Sequence, residues 1–459
     1  MKAVFRLVLA LSSFATFAQE DLWTPEEIIG TVYVNSPEFS RDGQKVVWMQ
    51  RKGMEKEDKF VNHLYLARLH PDVDTPKVVQ LTRSKASESN PVFSADGESL
   101  YFSSTREKGK TLWKLNLQGG EAEEFKKFEN GFSSLSRLGD SALVFIGGEG
   151  KTLYDISYEK DNTKIVEDTA HWNPRRLFTL DLKTKKIKRL TENKYRISSY
   201  AVSEDGHYLI YREITSPDYA TDGNPKPNYV LINLETGVSL PILKGLQNPG
   251  NYSFPKDGQG FYFSAETSSD PQWNGAGIQE LYYFDFAAKD YIKVPLDWEN
   301  GLSGSYYLNG SDVLAQLANG PLQKLRYYQK EGKEWNWKDF ELGELEGHVN
   351  ILAFNQNTNK VIYRHSTATK LPEYNLAQLQ VNRKNVAMEN DMTLTSLNNN
   401  LKKKPIAKSE IIYWTGANEE EVNGILYYPK NYEAGKTLSL IHISEPTRPA
   451  PLSRMPSSA

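Results

Sequence analysis

Short apolar runs alternate with polar turn signals along the chain, and one pattern returns at a spacing of about fifty residues. In its clear form, a short strand leads into Asp-Gly, and a second strand rich in β-branched and aromatic residues follows. Asp-Gly supplies the positive φ angles of a tight turn, so each copy predicts a β-hairpin. The clear copies span residues 36–48, 90–102, 200–211 and 251–263.

Weaker copies fill the gaps and bring the predicted hairpins between Ser36 and Tyr363 to seven. They lie at residues 135–145, 306–315 and 351–363. Third strands are expected at 64–66, 112–115, 177–180, 229–232 and 281–284, and fourth strands at 78–82 and 187–191. Four antiparallel strands at this period are typical of a propeller blade. We therefore expect an all-β fold, a seven-bladed β-propeller over residues 36–397, with six or eight blades as alternatives.

The pattern changes after the last predicted blade. Residues 398–408 are polar, lysine-rich and turn-rich, as in a linker. Two further strands follow at 411–414 and 423–429, with a hairpin loop between them. We interpret residues 409–437 as the start of a second domain.

The blades and this exit hairpin resemble the prolyl oligopeptidase family of serine peptidases. Residues 421–432, with Gly424 and Tyr432, resemble the segment that leads into that family's α/β-hydrolase domain. Residues 20–28 resemble the N-terminus of its acylaminoacyl-peptidase-like and dipeptidyl-peptidase-like branches. The resemblance implies an exported serine peptidase that hydrolyses oligopeptides, with the propeller gating access to a Ser-Asp-His triad.

An α/β-hydrolase places its nucleophile in a G-x-S-x-G elbow, and the chain has none. The nearest run, residues 301–305, fails at the last position and falls where a blade turn is expected, so we interpret it as a loop. We therefore expect the hydrolase domain to be truncated and, as the resemblance implies, the triad to lie beyond residue 437 of the full gene. The chain as given should be inactive; it needs no cofactor or metal, and its substrate-binding residues stay unidentified.

Both ends of the chain carry segments outside the expected fold. Lys2 and Arg6 precede an apolar run at 7–17, which predicts a signal peptide over 1–18 and export to the periplasm or medium. Residues 19–35 form an N-terminal segment before the first blade. Residues 438–448 match the eleven-residue peptide that a common transposase sequencing adapter encodes in one frame. We therefore expect 438–459 to be an adapter-derived tail.

Amino-acid composition excludes several kinds of binding partner and cofactor. The chain has no cysteine, which excludes disulfides, thiolate nucleophiles and Cys-ligated zinc. The formal net charge is -3 without a basic stripe, which argues against nucleic acid. No membrane span is expected after signal removal. Peptides are the expected substrates of the full-length protein, and the sequence does not indicate an oligomeric state.

Several titratable residues have a structural and a functional interpretation. Glu26 and Glu27 could hold a substrate ammonium, but they follow Thr24-Pro25 and fit the start of a short helix better. The Asp-Gly aspartates fit hairpins better than calcium loops, which need several carboxylates at alternating spacing; they are Asp42, Asp96, Asp205 and Asp257. The histidines form no metal motif, and His171 beside Trp172 is the one of interest; the others are His63, His70, His207, His348 and His365.

Two functions of other classes compete with the peptidase. One is a non-enzymatic periplasmic propeller that binds protein or polysaccharide, and the other is a propeller enzyme or lyase that acts at the mouth of the ring. A plain propeller has no need of the hairpin at 411–429 after its last blade. The exit hairpin therefore favours the peptidase.

Overall fold

The computed structural model describes residues 22–54, 57–69, 76–106, 110–151, 153–160, 172–268, 277–417, 419–429 and 432–435. The predicted signal peptide and the predicted tail lie outside these residues. Strands make up most of the described chain, and the helices are short. Among the described residues, no helix combines the length and the apolar character needed to cross a membrane.

The described strands fall into consecutive units of four, in which each strand pairs antiparallel with the next along the chain. Units 1 and 2 comprise β1 (Val34–Phe39), β2 (Lys45–Met54), β3 (Lys59–Arg68), β4 (Lys77–Gln80), β5 (Glu88–Phe93), β6 (Ser99–Ser104), β7 (Thr111–Asn116) and β8 (Glu123–Lys127). Units 3 and 4 comprise β9 (Phe132–Leu138), β10 (Ala142–Gly148), β11 (Arg175–Asp181), β12 (Ile187–Arg189), β13 (Arg196–Val202), β14 (Tyr208–Ile214), β15 (Asn228–Asn233) and β16 (Ser239–Ile242).

Units 5 to 7 repeat the arrangement, and a separate two-stranded hairpin follows them. The units comprise β17 (Gln247–Ser253), β18 (Gly260–Thr267), β19 (Ile278–Asp285), β20 (Asp290–Lys293), β21 (Leu302–Asn309), β22 (Asp312–Asn319), β23 (Leu322–Glu331), β24 (Glu334–Glu341), β25 (Val349–Asn355), β26 (Lys360–Thr367), β27 (Lys370–Val381) and β28 (Val386–Thr395). The exit hairpin is β29 (Ser409–Thr415) and β30 (Glu421–Tyr427). Short parallel contacts join β11 to β13 and β24 to β28.

Short helical segments decorate the loops: α1 (Pro25–Ile29), α2 (Leu153–Lys160), α3 (Tyr219–Asp222) and a 3₁₀ turn at Gly343–Leu345. The helix predicted after Thr24-Pro25 is confirmed as α1, with Pro in its first turn. Thr24 accepts from the Glu27 amide at 3.2 Å, and Glu27 accepts from the Thr24 amide at 3.0 Å, which completes a capping box.

The Ser-x-Asp-Gly loops differ from the predicted turn in one respect. Only the glycine takes a positive φ, as at Gly43 (φ 64) and Gly97 (φ 67); the preceding aspartates do not. The aspartate acts through its side chain instead. Asp96 Oδ1 accepts from the Ser94 hydroxyl and, at 2.9 Å, from the Glu98 amide, and these bonds lower the pKa of Asp96. A carboxylate that satisfies loop donors fixes a wider loop than a two-residue turn.

A cluster of buried side chains lies between each unit and the next. Units 1 and 2 share Leu64 and Phe102, and units 2 and 3 share Tyr101 and Phe145. Further clusters join units 3 and 4, 4 and 5, 5 and 6, and 6 and 7. The last cluster joins unit 7 back to unit 1 through residues that include Val46, Trp48, Ile362, Tyr374 and Leu376. The packing therefore runs in a closed cycle.

Unit 7 meets unit 1 without an exchanged strand, because β25 to β28 and β1 to β4 are separate runs of chain that pair among themselves. Side chains of unit 7 reach the first loop of unit 1 instead. Asn355 Nδ2 donates to the Ser40 carbonyl at 3.0 Å, and Lys360 Nζ donates to the Gly43 carbonyl at 2.9 Å. Polar ties at the loop and the buried cluster around Trp48 together close the ring.

The segment predicted as a linker is held against the N-terminal segment. The Asn398 side-chain amide donates to the Val32 carbonyl at 2.8 Å and accepts from the Val32 amide at 2.9 Å. Lys404 is buried, with 9% of the residue exposed. Its Nζ donates to the Leu22 carbonyl and pairs with Glu27 at 2.8 Å. The route between the last unit and the exit hairpin is therefore fixed to the start of the chain.

The closure contact gives a matched pair of glycine substitutions. Gly43 and Gly310 share nearly the same φ (64 and 65), but a Cβ on Gly43 would lie 2.4 Å from Thr358 Oγ1, whereas Gly310 has nothing within 4 Å. We expect Gly310→Ala to lose about 1–2 kcal/mol of unfolding free energy from backbone strain alone. Gly43→Ala should lose roughly 1–3 kcal/mol more from overpacking. Urea unfolding measures both values.

Thr358→Ala supplies the control for this pair, because it removes the two atoms nearest the added Cβ. In the Gly43→Ala background, Thr358→Ala should restore the unfolding free energy that Gly43→Ala loses beyond Gly310→Ala. The double-mutant cycle would then show that the two substitutions are coupled. Equal losses in Gly43→Ala and Gly310→Ala would contradict the observed contact between units 1 and 7.

Candidate functional site in the central cavity

The first strands of the units surround the centre of the ring. A cavity of about 320 Å³ is lined by residues of units 1, 2, 3, 4, 6 and 7, and such a cavity can lie only where the units converge. We call it the central cavity. Its lining consists of residues 37–41, Phe93, Arg137, Glu204, Tyr307 and residues 352–357.

The first strand of each unit carries an irregularity in its pairing with the second strand. In four units a small polar residue takes a left-handed conformation there: Ser36 (φ 47), Asn90 (φ 51), Ser134 (φ 54) and Asn251 (φ 53). A bulge of this kind bends and twists the strand. Sequence reasoning missed it, although the signal is present: Asn or Ser recurs four residues before each of these loops begins.

Two charged side chains of the central cavity, Glu38 and Arg137, make no side-chain hydrogen bond or salt bridge to the described residues, although each lies in the other's electrostatic field. Burial raises the pKa of Glu38 to about 7, and the charge of Arg137 acts in the opposite direction. The Glu38 side chain is exposed to the solvent of the cavity, and Arg137 is partly buried. The cavity thus holds an available carboxyl and an available guanidinium from different units.

A polar network of loop residues lies beside the central cavity, at the end where first strands turn into second strands. Arg41 Nη1 donates to Asp140 at 3.1 Å, and its Nε lies 3.7 Å from Glu204. The Arg41 carbonyl accepts from Asn357 Nδ2 at 3.0 Å. Two more bonds, Gln356 to Glu204 and Lys256 to Asn357, extend the network, which we call the loop network.

The loop network connects units 1, 3, 4, 5 and 7 across one end of the ring. Its ion pairs are solvent-exposed, with 48% of the Arg41 side chain and 72% of the Asp140 side chain accessible. Exposed pairs contribute only about 0–1 kcal/mol each. The network therefore spans this end of the ring while adding little to the stability of the fold.

The exit hairpin lies at the opposite end of the ring. It borders a cavity of about 540 Å³ whose other walls are the turn between β22 and β23, the start of β25 and the turn between β26 and β27. These turns join second to third strands, and so they lie away from the loop network. The lining includes Gln323, His348, Arg364, Thr369, Glu410 and Ile425.

Residues 301–305, the run nearest to a nucleophile elbow, were predicted to form a loop, and this prediction is wrong for residues 302–305. Residues 302–305 belong to β21, which begins directly after Gly301 (φ 66) and shifts register between Leu302 and Tyr306. The bulge explains the error, because its glycine and serines imitate turn composition. Ser303 Oγ donates to Gln323 Oε1 at 2.9 Å, a contact without a general base.

The described histidines lie apart from the central cavity. His63 is buried, with Nδ1 3.4 Å from Glu88, whose carboxylate also binds Arg106 at 3.0 Å. His207 lies 3.4 Å from both Asp205 and Glu235, and the ring centres of His348 and His365 are 6.4 Å apart. His70 and His171 fall outside the described residues, so the expectation for His171 stays a prediction.

The acidic candidates have structural roles. Asp42, Asp96 and Asp205 each take a hydroxyl bond from the serine of their loop, and Asp257 takes one from Ser311. Glu27 caps α1 and pairs with Lys404, away from the central cavity. Within the described residues, no group of three or more His, Asp or Glu side chains is arranged to hold a metal ion.

Comparison with known proteins places this geometry in context. No family model matches the chain. The uncharacterized peptidase YuxL of Bacillus subtilis (strain 168) is 25% identical over 231 residues, which cover 46% of this chain and 34% of that protein. The acylaminoacyl peptidase of Pyrococcus horikoshii superposes with a TM-score of 0.60 at 14% identity, over 89% of this chain and 60% of its own.

A second acylaminoacyl peptidase structure, in complex with Z-Gly-Gly-Phe-chloromethyl ketone, gives a TM-score of 0.61 at 14% identity over 90% of this chain and 60% of its own. The fold is therefore the β-propeller found in these peptidases, and the resemblance to the prolyl oligopeptidase family is confirmed. The chain spans about a third of the length of the curated relative and about 60% of the solved structures.

Glu38 generates a prediction about pH. Its pKa is raised from 4.5 to about 7, so the folded state binds this proton more tightly than the unfolded state. The contribution of Glu38 to the free energy of unfolding is then greatest below pH 4.5, falls as the pH rises from 4.5 to about 7, and is constant above that range. Glu38→Gln lacks this loss. The unfolding free energy of Glu38→Gln relative to the wild type should therefore increase with pH, to the order of 1 kcal/mol above pH 7. The difference stays this small because cavity solvent screens the Glu38 charge.

Melting temperatures of both proteins between pH 4.5 and 8 measure this difference. Glu121→Gln, which changes an exposed glutamate, is the control and should show a constant offset. Parallel curves for Glu38→Gln and the wild type would contradict the raised pKa.

Proposed function

We propose that the chain is the seven-bladed propeller portion of an exported serine peptidase of the prolyl oligopeptidase family, which hydrolyses oligopeptides. In this proposal the catalytic Ser, Asp and His belong to an α/β-hydrolase domain encoded beyond residue 437. The propeller limits access to the site between the two domains. Residues 1–18 direct export, and the chain as given lacks peptidase activity.

The exit hairpin is the observation that carries the proposal. It comes after the seventh unit has closed on the first, and it pairs only with itself among the described strands. Its outer strand edges are therefore open, and Tyr413 and Tyr427 are 59% and 51% exposed. Open edges and exposed aromatics suit a sheet that continues into further strands.

The relatives support the reaction class. The curated relative is named a peptidase, and the superposed structures are peptidases, one of them with a peptide-derived inhibitor. A peptidase whose active site lies under a propeller admits short or extended peptides, because a folded protein is wider than the ring. The loop network at one end and the exit hairpin at the other fit this arrangement.

A non-enzymatic propeller that binds protein or polysaccharide is the second candidate. The central cavity, with its accessible carboxyl and guanidinium, is compatible with binding alone. The exit hairpin distinguishes the two candidates, because binding at the central cavity does not require it.

The first experiment is resequencing of the source DNA across codon 437. We expect an open frame of roughly 200–250 further codons, the size of one domain, with a G-x-S-x-G elbow followed by Asp and then His. A stop codon near position 459 in native DNA would overturn the proposal and favour the binding propeller.

An activity assay tests the chain as it is. Purified protein should not turn over aminoacyl or N-acyl-aminoacyl p-nitroanilides, because it lacks the triad. Ser303→Ala is the matched control, since Ser303 lies in the run nearest to an elbow. Turnover that a serine-directed phosphonate blocks in the wild type, and that Ser303→Ala loses, would show a nucleophile within the chain and contradict the proposal.

A further inference from the structure

We propose that the central cavity binds the free C-terminal carboxylate of a short peptide, with the Arg137 guanidinium as its charge partner. The inference rests on the proposed function, because it names which end of a peptide enters the propeller. It goes beyond that function by assigning a binding residue to the ring itself.

Arg137 is the available cation of the central cavity. It lies on β9, is partly buried and lines the cavity without a hydrogen bond or salt bridge to the described residues. The other arginine of the lining, Arg41, is engaged by Asp140 and Glu204. A guanidinium presents a planar set of donors that matches a carboxylate in two parallel bonds, and such bonds are among the stronger ones in proteins.

The charge balance of the lining favours an anion. Its charged side chains are Glu38, Arg41, Arg137 and Glu204. Glu204 is occupied by Arg41 and by the Gln356 amide. The Glu38 carboxyl is exposed within the cavity, and desolvation there raises its pKa to about 7, so at pH 6.5 it offsets only part of the Arg137 charge. Arg137 then provides the net charge of the cavity, whereas an ammonium ligand would need Glu38 to be ionised.

Aromatic and aliphatic side chains complete the wall. Phe93 is buried at 2% exposure, and the partly exposed apolar lining residues are Phe39, Tyr307, Leu352 and Phe354. A few polar groups in an apolar wall are typical of ligand pockets. The volume of about 320 Å³ lies at the lower end of such pockets and suits roughly one or two residues.

The loop network explains why a terminus is bound, rather than an internal segment. Arg41, Glu204, Gln356 and Asn357 belong both to this network and to the cavity lining. A peptide that enters from the exit-hairpin end meets the network after it passes Arg137. The chain cannot continue through, so its leading end comes to rest beside the guanidinium.

The test is a titration of the 459-residue protein with three peptides, followed by calorimetry at pH 6.5. The peptides are N-acetyl-Ala-Ala-Phe with a free carboxylate, its C-terminal amide, and Ala-Ala-Phe amide with a free amine. We expect the free acid to bind roughly tenfold more tightly than either amide, the effect of one charge-assisted pair.

Variants assign the effect to a residue. Arg137→Gln should abolish the preference for the free acid, and Arg137→Lys should retain part of it. Glu38→Gln should keep the preference. Arg383→Gln, which changes an exposed arginine outside the cavity, is the matched control and should behave as the wild type. Thermal melts confirm that each variant folds.

Equal affinity for acid and amide in the wild type would overturn the inference without reference to any variant. So would a preference for the acid that survives in Arg137→Gln, tighter binding of the free-amine peptide, or no binding of the acid at millimolar concentration. Because the assay measures binding and not hydrolysis, it reads out independently of the resequencing. A native stop codon would remove the peptidase and leave the titration interpretable.

Discussion

The fold depends on the contact between unit 7 and unit 1. No strand is exchanged there among the described strands, and side-chain contacts hold the ring closed: the buried cluster around Trp48 and Tyr374, and the amide and ammonium groups that reach the Ser40–Gly43 loop. Burial of one large apolar side chain contributes about 1.5–3 kcal/mol, whereas an exposed ion pair contributes about 0–1 kcal/mol. The apolar clusters therefore close the ring, and the polar contacts set its register.

Closure also creates the candidate site. Once seven first strands converge, their bulges and left-handed residues fit them around a narrow axis, and their side chains share one cavity. Polar groups beside that axis have few partners within their own units. Glu38 and Arg137 consequently contact cavity solvent and interact with each other electrostatically. Arg41, in contrast, contacts residues of three other units in the loop network. The two ends of the ring then differ: one is crossed by the network, and the other faces the exit hairpin.

This asymmetry links the fold to the proposed chemistry. A peptidase built from a propeller and a hydrolase domain needs one face of the ring for the catalytic domain and a limit on what passes through the centre. In the proposed arrangement, the exit hairpin marks the face for the catalytic domain, and Asn398 and Lys404 tie the segment before it to the start of the chain. In our proposal, Arg137 and the apolar wall give the centre a preference of its own, so that the ring would select peptides by their terminal charge as well as by their width.

The sequence by itself determined the local structure. Hairpins, third strands, the capped helix at Thr24-Pro25 and the exit hairpin could be predicted, because turn glycines, capping residues and alternating apolar positions act over a few residues. The β21 bulge at 302–305 was misjudged, since its composition is that of a turn. The site could not be predicted: Arg41 and Asp140 are 99 positions apart, and only ring closure brings them together. Neither the raised pKa of Glu38 nor the availability of Arg137 follows from neighbours in sequence, because both depend on which distant side chains surround a group and which water is excluded.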